Sequence, residues 1–227
     1  MGLFDTILGR TKPVQSNLDA LFAIPSASIT LQSAAGMACS GRAGVCYKPP
    51  SGQGIADMEA EVAKLLGMDG TALRKVADSF GYQWLVVEDA DIEALVTQIH
   101  MVNSSLADAG WGPQLLCSVF GICSLGSSGA GSETSTDLVD VGGVGDGGEG
   151  GGGGDDEHPT VGPGTVRSST AFLVYLFKRG TFYPFVPTGA EKRDTEQEFR
   201  LKSLLADDLE IEADLSRWFP LWDLPIG

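Results

Sequence analysis

The sequence predicts an α+β domain: an antiparallel, twisted sheet of about five to six strands with helices packed on one face. Short apolar segments follow one another as strands and hairpins, which favours antiparallel pairing. In the predicted order, strands follow one another directly at several points, which differs from the regular alternation of a parallel βαβ sheet. Hydrophobic residues make up 43% of the 227 residues, which is enough to form a core.

A glycine-rich, acidic tract at Gly126–Val166 interrupts this pattern. It contains eight acidic residues but no lysine, arginine or aromatic residue. This composition predicts a long disordered loop, inserted between two strands of a single domain that comprises residues 1–125 and 167–227. A loop of this length costs little closure entropy. We expect no phosphate loop and no metal site in the tract, because no helix follows its glycines and flexible acids bind cations loosely.

The first elements are short. Ser16 or Asn17 caps a helix that continues to Phe22, and Pro25 is expected to end it. The alternating apolar residues of Ser28–Ala34 predict a strand, and Gly44–Lys48 predicts a second one.

The middle of the chain alternates between helix and strand. Apolar residues at helical spacing predict a helix over Ile55–Leu66, and Thr71–Phe80 is expected to be a further short helix. Tyr82–Glu88 is typical of a buried strand. Asp91–Ala109 is the longest predicted helix, and Gly110 is well placed just beyond its end.

Apolar segments on both sides of the tract predict three more strands, at Leu115–Ile122, Thr170–Lys178 and Thr181–Val186. The last two form a hairpin, whose second strand is expected at a sheet edge because it contains a proline. Asp194 or Thr195 begins the last main helix.

The net charge of −15 makes nucleic acid and anionic lipid headgroups improbable direct partners. No apolar stretch is long enough to span a membrane, and the start lacks a signal peptide. We therefore expect a cytoplasmic protein, with the inner face of the cell membrane as the site to which it could be recruited. An alternative is a peripheral membrane protein anchored by the amphipathic segment Gly2–Gly9.

Cysteine and histidine spacing predicts neither a cofactor nor a metal site. The four cysteines form no C-x2-C pair and are expected to be free thiols: Cys39, Cys46, Cys117 and Cys123. An alternative is a small cysteine-dependent enzyme in which Cys117 is the nucleophile, with His100 and Asn103. We expect instead no enzyme and no catalytic residue, since His100 lies beside a buried helical stripe.

The predicted hairpin and the aromatic C-terminus are the candidate protein-binding surface. Basic residues at the hairpin turn suit an acidic partner, and the aromatic residues either cover the sheet or bind a partner. The candidate partner-binding residues are Lys178, Arg179, Phe182, Tyr183, Trp218, Phe219 and Trp222.

Several stretches together carry a family resemblance: Met1–Asp5, Leu8–Pro13, Asn17–Ala23, Pro25–Ala27, Val102–Ser104, Ala109–Cys117, Tyr175–Phe185, Leu204–Leu209 and Arg217–Trp222. On these residues the chain resembles the PspA-associated protein PspAB family of actinobacteria and haloarchaea. The acidic tract is a departure from the shorter members and suits the haloarchaeal branch.

The resemblance implies a cytoplasmic, non-enzymatic accessory factor of the phage-shock, or envelope-stress, response. Its implied partners are a PspA-type protein and an HtpX-type membrane protease, and it implies no catalytic residue. The order of elements also resembles YbjN and type III secretion chaperone domains, which are chaperone-like folds that bind other proteins.

Overall fold

The computed structural model describes residues 16–49, 64, 73–125, 170–189 and 191–227. These residues belong to one compact unit. The segment Gly2–Gly9, the acidic tract and, apart from Lys64, the predicted helix Ile55–Leu66 lie outside the described residues.

The main sheet is antiparallel throughout and has six strands in the order β2-β3-β1-β4-β5-β6. Its strands are β1 (Met37–Tyr47), β2 (Leu73–Ala77), β3 (Gln83–Glu88), β4 (Leu115–Ser124), β5 (Ala171–Leu176) and β6 (Thr181–Phe185). A small second sheet pairs β7 (Pro187–Gly189) with β8 (Lys192–Arg193). The predicted α+β fold with an antiparallel sheet is confirmed.

The described helices are α1 (Ile24–Ala35), α2 (Ile92–Leu106) and α3 (Thr195–Leu205). A 3-10 turn, Leu18–Ala23, leads directly into α1. Aspartates begin the other two helices, as the sequence predicts: the side chain of Asp91 accepts from the backbone N–H of Glu93, and that of Asp194 from the N–H of Gln197, each at 2.9 Å.

The helices cover one face of the sheet, as predicted, because their buried residues join one hydrophobic cluster with alternate residues of the strands. In β5, Leu173 and Tyr175 face this cluster, while Phe172 and Val174 belong to a second cluster on the opposite face. The second cluster contains no residue of the three helices. The face opposite the helices is therefore covered by something else.

The predicted strand over Ser28–Ala34 is wrong, since these residues belong to α1. Pro25 lies in the first turn of α1, where its missing N–H needs no partner, so it begins this helix instead of ending the preceding one. Gly36 ends the helix with a φ of 60°. The exposed side chain of Ile29 produced the misleading alternation. The buried hydrophobic residues follow helical spacing: Ile24, Ala27 and Leu31.

The predicted short helix over Thr71–Phe80 is also wrong, because Leu73–Ala77 forms strand β2. β2 and β3 are joined by a tight turn. In this turn the Asp78 carboxylate accepts from the backbone N–H groups of Phe80 and Tyr82, and Gly81 has a φ of 83°. Strand pairing and turn chemistry together override the helical pattern.

The other predicted strands are confirmed, and the predicted strand at Gly44–Lys48 is the second half of β1. β6 lies at the edge of the sheet, as Pro184 predicts. The chain that follows α3 pairs with this edge: the N–H of Phe182 donates to the carbonyl of Glu210, and that of Glu212 donates to the carbonyl of Phe182. Among the described helices, none combines the length and the apolar character needed to cross a membrane.

Candidate functional site

The face of the sheet opposite the helices is covered by the C-terminal segment, residues 211–227. The segment starts at edge strand β6, where Ile211 bridges to Phe182. It ends over the opposite half of the sheet, where Arg74 donates to the carbonyl of Pro225 and Arg42 to that of Gly227. The chain thus crosses the sheet, with hydrogen bonds at both ends.

A cleft of about 600 Å³ lies between the C-terminal segment and the sheet. We call it the aromatic cleft. Its walls come from β3 and the turn before it, from the centre of the sheet, from β6 and from the C-terminal segment. The lining residues are Cys46, Asp78, Phe80, Tyr82, Trp84, Leu116, Cys117, Leu176, Lys178, Tyr183, Phe219, Pro220, Leu221 and Trp222.

Two of the lining aromatic side chains are largely exposed. The side chains of Phe80 and Phe219 are 58% and 56% exposed, although most large apolar residues of the described chain are buried. They come from separate parts of the chain, the β2–β3 turn and the C-terminal segment. The aromatic cleft therefore presents apolar surface to solvent from two independent elements.

The charged residues that line the cleft are Asp78 and Lys178. The Asp78 carboxylate is fully engaged, since it accepts from two backbone N–H groups of its turn and, at 3.0 Å, from the indole Nε1 of Trp84. Lys178 lies in the β5–β6 turn and has no ion-pair partner within the described ranges. Its ammonium is the group best placed to meet a ligand's negative charge.

Tyr183 lines the cleft at the β6 edge and packs against Trp218 behind it. Their rings stack with centroids 5.8 Å apart, and the Tyr183 hydroxyl donates to the carbonyl of Phe219 at 2.8 Å. Burial, followed by the nearby Cys117 thiol, raises the pKa of Tyr183 well above its ordinary value. The hydroxyl therefore keeps its proton and remains a donor to the C-terminal segment.

The buried carboxylate of Glu212 holds the start of the C-terminal segment against the β5–β6 turn. It accepts from Thr181 Oγ1 at 2.9 Å, Arg179 Nε at 3.2 Å and the backbone N–H of Asp214 at 3.0 Å. Burial alone would raise the pKa of Glu212, but these hydrogen bonds outweigh it and lower the pKa. Glu212 therefore remains ionised in the folded protein at neutral pH.

A second buried ion pair connects α3 to the same wall. Arg193 Nε donates to both carboxylate oxygens of Glu198, at 2.8 and 2.9 Å, and Glu198 is only 1% exposed. Arg193 Nη1 also donates to the carbonyl of Trp218 at 2.8 Å. Arg193 therefore helps to fix Trp218, together with the stacking on Tyr183 and the hydrogen bond that the indole Nε1 of Trp218 donates to the carbonyl of Glu212 at 3.0 Å.

The floor of the cleft contains two thiols. Cys46 on β1 lies directly opposite Cys117 on β4, and both are buried. A hydrogen bond with the Cys117 thiol and then burial raise the pKa of Cys46 far above its ordinary value. The prediction that all four cysteines are free thiols is confirmed.

The aromatic cleft brings together four of the seven sequence-predicted binding residues: Lys178, Tyr183, Phe219 and Trp222. The other three have different surroundings. Trp218 is buried against Tyr183, and Arg179 is paired with Glu212. Phe182 is buried in the core on the helix-covered face.

The sequence analysis missed the wall that the β2–β3 hairpin contributes. Phe80, Tyr82 and Trp84 all line the cleft and follow one another at a spacing of two. This aromatic alternation is typical of residues on one face of an extended chain. It is the signal that could have revealed the wall.

The proposed grouping of Cys117, His100 and Asn103 is not assembled. Cys117 faces the aromatic cleft, whereas Asn103 belongs to α2 on the opposite face and donates to Ser118 Oγ at 2.8 Å. His100 contacts the ring of Phe22 and lies 3.7 Å from the carboxylate of Asp19. The sheet separates the thiol from both proposed partners, so these three residues do not form the proposed triad. In the part of the chain that the structure describes, no group of three or more potential metal ligands is found.

Comparison with known proteins agrees with the resemblance carried by the sequence. The family model of PspA associated protein B matches residues 1–130 and 163–226, on both sides of the acidic tract. No curated protein and no solved structure matches the chain. The family's name associates its members with PspA. Because the match covers most of the chain, including the hairpin and the C-terminal segment that form the cleft, the chain belongs to the PspA associated protein B family.

Proposed function

We propose that the chain is an accessory protein of a PspA-type envelope-stress system and that it binds a PspA-type protein through the aromatic cleft. Family membership supports the link to PspA. The observation that carries the choice of surface is the cleft itself, about 600 Å³ in volume and bordered by the exposed rings of Phe80 and Phe219. The proposal assigns no reaction to the chain.

The lining suits a protein partner. Aromatic residues are enriched where protein interfaces are fully buried, and the largest energetic contributions come from side chains that fill pockets near the interface centre. Phe80 and Phe219 would lose their remaining water contact when an apolar side chain of the partner enters between them. Burial of a fully exposed phenylalanine contributes about 1.5–3 kcal/mol, so burial of the remaining half of one such ring contributes roughly half of this.

The charges suggest what the partner presents to this surface. The chain as a whole is strongly acidic, at −15, and would repel a partner of high negative charge. Lys178 offers one unpaired ammonium at the cleft. The Asp78 carboxylate already accepts three hydrogen bonds from the protein and is not available to a partner's positive charge. An apolar segment with a single carboxylate near Lys178 therefore fits best.

We place this interaction at the cytoplasmic side of the cell membrane, where an envelope-stress protein would meet its partners. An HtpX-type membrane protease is the other partner that the resemblance implies. Crosslinking from the cleft distinguishes the two.

Site-specific photo-crosslinking in cells under envelope stress tests the proposal. A photoreactive phenylalanine analogue is placed at residue 80 or 219, and in a matched control at Phe22, which is 50% exposed and contacts His100 of α2. We expect a PspA-type protein to be captured from positions 80 and 219 and not from position 22. Capture of an HtpX-type protease instead, or equal capture from position 22, would overturn the proposal.

A further inference from the structure

We propose that Cys46 and Cys117 form a dithiol site at the floor of the aromatic cleft, and that a low-molecular-weight disulfide converts the pair into an internal disulfide. The register of the sheet and the position of the cleft support this site. It does not depend on the identity of the protein partner.

The geometry of the two strands favours closure. Cys46 and Cys117 are direct partners in the antiparallel β1–β4 ladder, and the nearest register shift follows this pair, between Cys46 and Tyr47. Directly opposite residues in such a ladder have Cα atoms about 4.5 or 5.5 Å apart, which lies within the range of about 4.4–6.8 Å found for disulfides. Both side chains belong to the same cluster on the same face of the sheet. The thiols can therefore be joined without moving the strands apart.

The cleft supplies access to this pair. Cys46 and Cys117 are 3% and 5% exposed, and both line the 600 Å³ space that opens between the C-terminal segment and the sheet. A small neutral disulfide can approach through this space. Most of the lining is apolar, so a strongly charged oxidant would lose hydration on entering the cleft.

The reaction is a thiol–disulfide exchange in two steps. Cys117 attacks first as the thiolate, because its hydrogen bond with Cys46 and burial raise the pKa of the Cys46 thiol. The S–S bond of the small disulfide breaks, and the released thiolate takes up a proton. The second cysteine thiolate then attacks the protein-bound sulfur of this mixed disulfide and releases the second small thiol. The protein loses two electrons and two protons, and the small disulfide is reduced to two thiols.

The other two cysteines provide an internal control. Cys39 lies opposite Ile122, and Cys123 lies opposite Ala38. Because successive residues of a strand point to opposite faces, Cys39 and Cys123 project to different sides of the sheet. Cys39 and Cys123 belong to neighbouring pairs of the β1–β4 ladder. The sheet lies between their thiols, so they cannot form a disulfide.

The test treats the native full-length protein with 2-hydroxyethyl disulfide, blocks remaining thiols by alkylation and maps the peptides by mass spectrometry. We expect a Cys46–Cys117 linked peptide, two alkylated cysteines at positions 39 and 123, and reversal by dithiothreitol. The double variant Cys39→Ser with Cys123→Ser should give the same link. Four alkylated cysteines, a stable mixed disulfide without cross-link, or a Cys39–Cys123 link would each overturn the proposal.

Discussion

The hydroxyl of Tyr183 donates a hydrogen bond to the carbonyl oxygen of Phe219 across 2.8 Å. This contact joins edge strand β6 to the C-terminal segment at the position where Phe219 exposes its ring. The cleft wall and the candidate binding residue are therefore positioned by the same bond.

Tyr183→Phe removes this hydrogen bond and keeps the ring that stacks on Trp218. We expect the free energy of unfolding to fall by about 1 kcal/mol, because the Phe219 carbonyl loses its donor. Urea unfolding measures the change. Tyr82→Phe is the control, since Tyr82 lines the same cleft without a comparable bond in the described residues. An equal loss in both variants would contradict the assignment.

Arg193→Met should destabilise the protein more than Tyr183→Phe does. It leaves the Glu198 carboxylate, which is 1% exposed, without its counter-ion, and breaking a buried pair costs about 3–5 kcal/mol. Adding Glu198→Gln should restore part of the loss, because the neutral amide can still accept from the N–H of Val186. Guanidinium unfolding of the single and double variants measures both steps.

A matched control is available at an exposed ion pair. Arg217 pairs with Asp214 at 2.9 Å, and both side chains are at least 40% exposed. Arg217→Met should leave stability nearly unchanged, since exposed pairs contribute little. A loss as large as that of Arg193→Met would show that burial is not the cause.

Glu212 should contribute a pH-dependent part of the stability. Its pKa is lowered from 4.5 in the folded state, so its contribution is fully present above pH 4.5 and is lost as the pH falls through the folded pKa. Glu212→Gln should destabilise the protein at pH 7 by about 1.5 kcal/mol, the size of a charged hydrogen bond. The difference from the unmodified protein should shrink at acidic pH.

Stability curves from pH 7 to pH 3 measure this difference. The control is Glu210→Gln, because Glu210 is exposed and its contact with β6 is made by the backbone. A difference at Glu212 that stays constant over the whole range would contradict the linkage.

Deletion of residues 131–162 should leave the fold intact. The family model matches on both sides of these residues, and β4 and β5 pair directly, with Ile122 opposite Ala171. Shortening a loop between paired strands changes its closure cost only slowly with length. We expect cooperative unfolding with a free energy within about 1 kcal/mol of the full chain. Circular dichroism during denaturation measures it, and loss of cooperativity would refute the prediction.

Much of the sheet could be predicted because its strands are continuous apolar segments. The β5–β6 hairpin was visible because Arg179 and Gly180 mark its turn, where Gly180 has a φ of 71°. The caps of α2 and α3 were visible as Asp91 and Asp194. These signals are local, so they can be recognised in the sequence without knowledge of the tertiary structure.

The two wrong elements depended on tertiary context. In Ser28–Ala34 an exposed Ile29 imitated a strand pattern, and only packing against the sheet shows which residues are buried. β2 has no fully buried residue and is specified by its partner β3 and by the turn at Asp78.

The aromatic cleft could be predicted only in part. The C-terminal aromatics were candidates either for covering the sheet or for binding. Trp218 is buried, whereas Phe219 is 56% exposed and stays a candidate for binding. No local pattern links Phe219 to Phe80, because the two line one cleft only when the C-terminal segment crosses the sheet.

The affinity of the purified chain for a PspA-type protein, measured by titration calorimetry, tests the central claim most directly. The double variant Phe80→Ala with Phe219→Ala should raise Kd at least about tenfold, equivalent to about 1.4 kcal/mol. Lys178→Glu should also weaken binding, while Phe22→Ala and Lys192→Glu, matched changes outside the cleft, should not. An unchanged Kd for the double variant, or equal weakening by Phe22→Ala, would contradict the account.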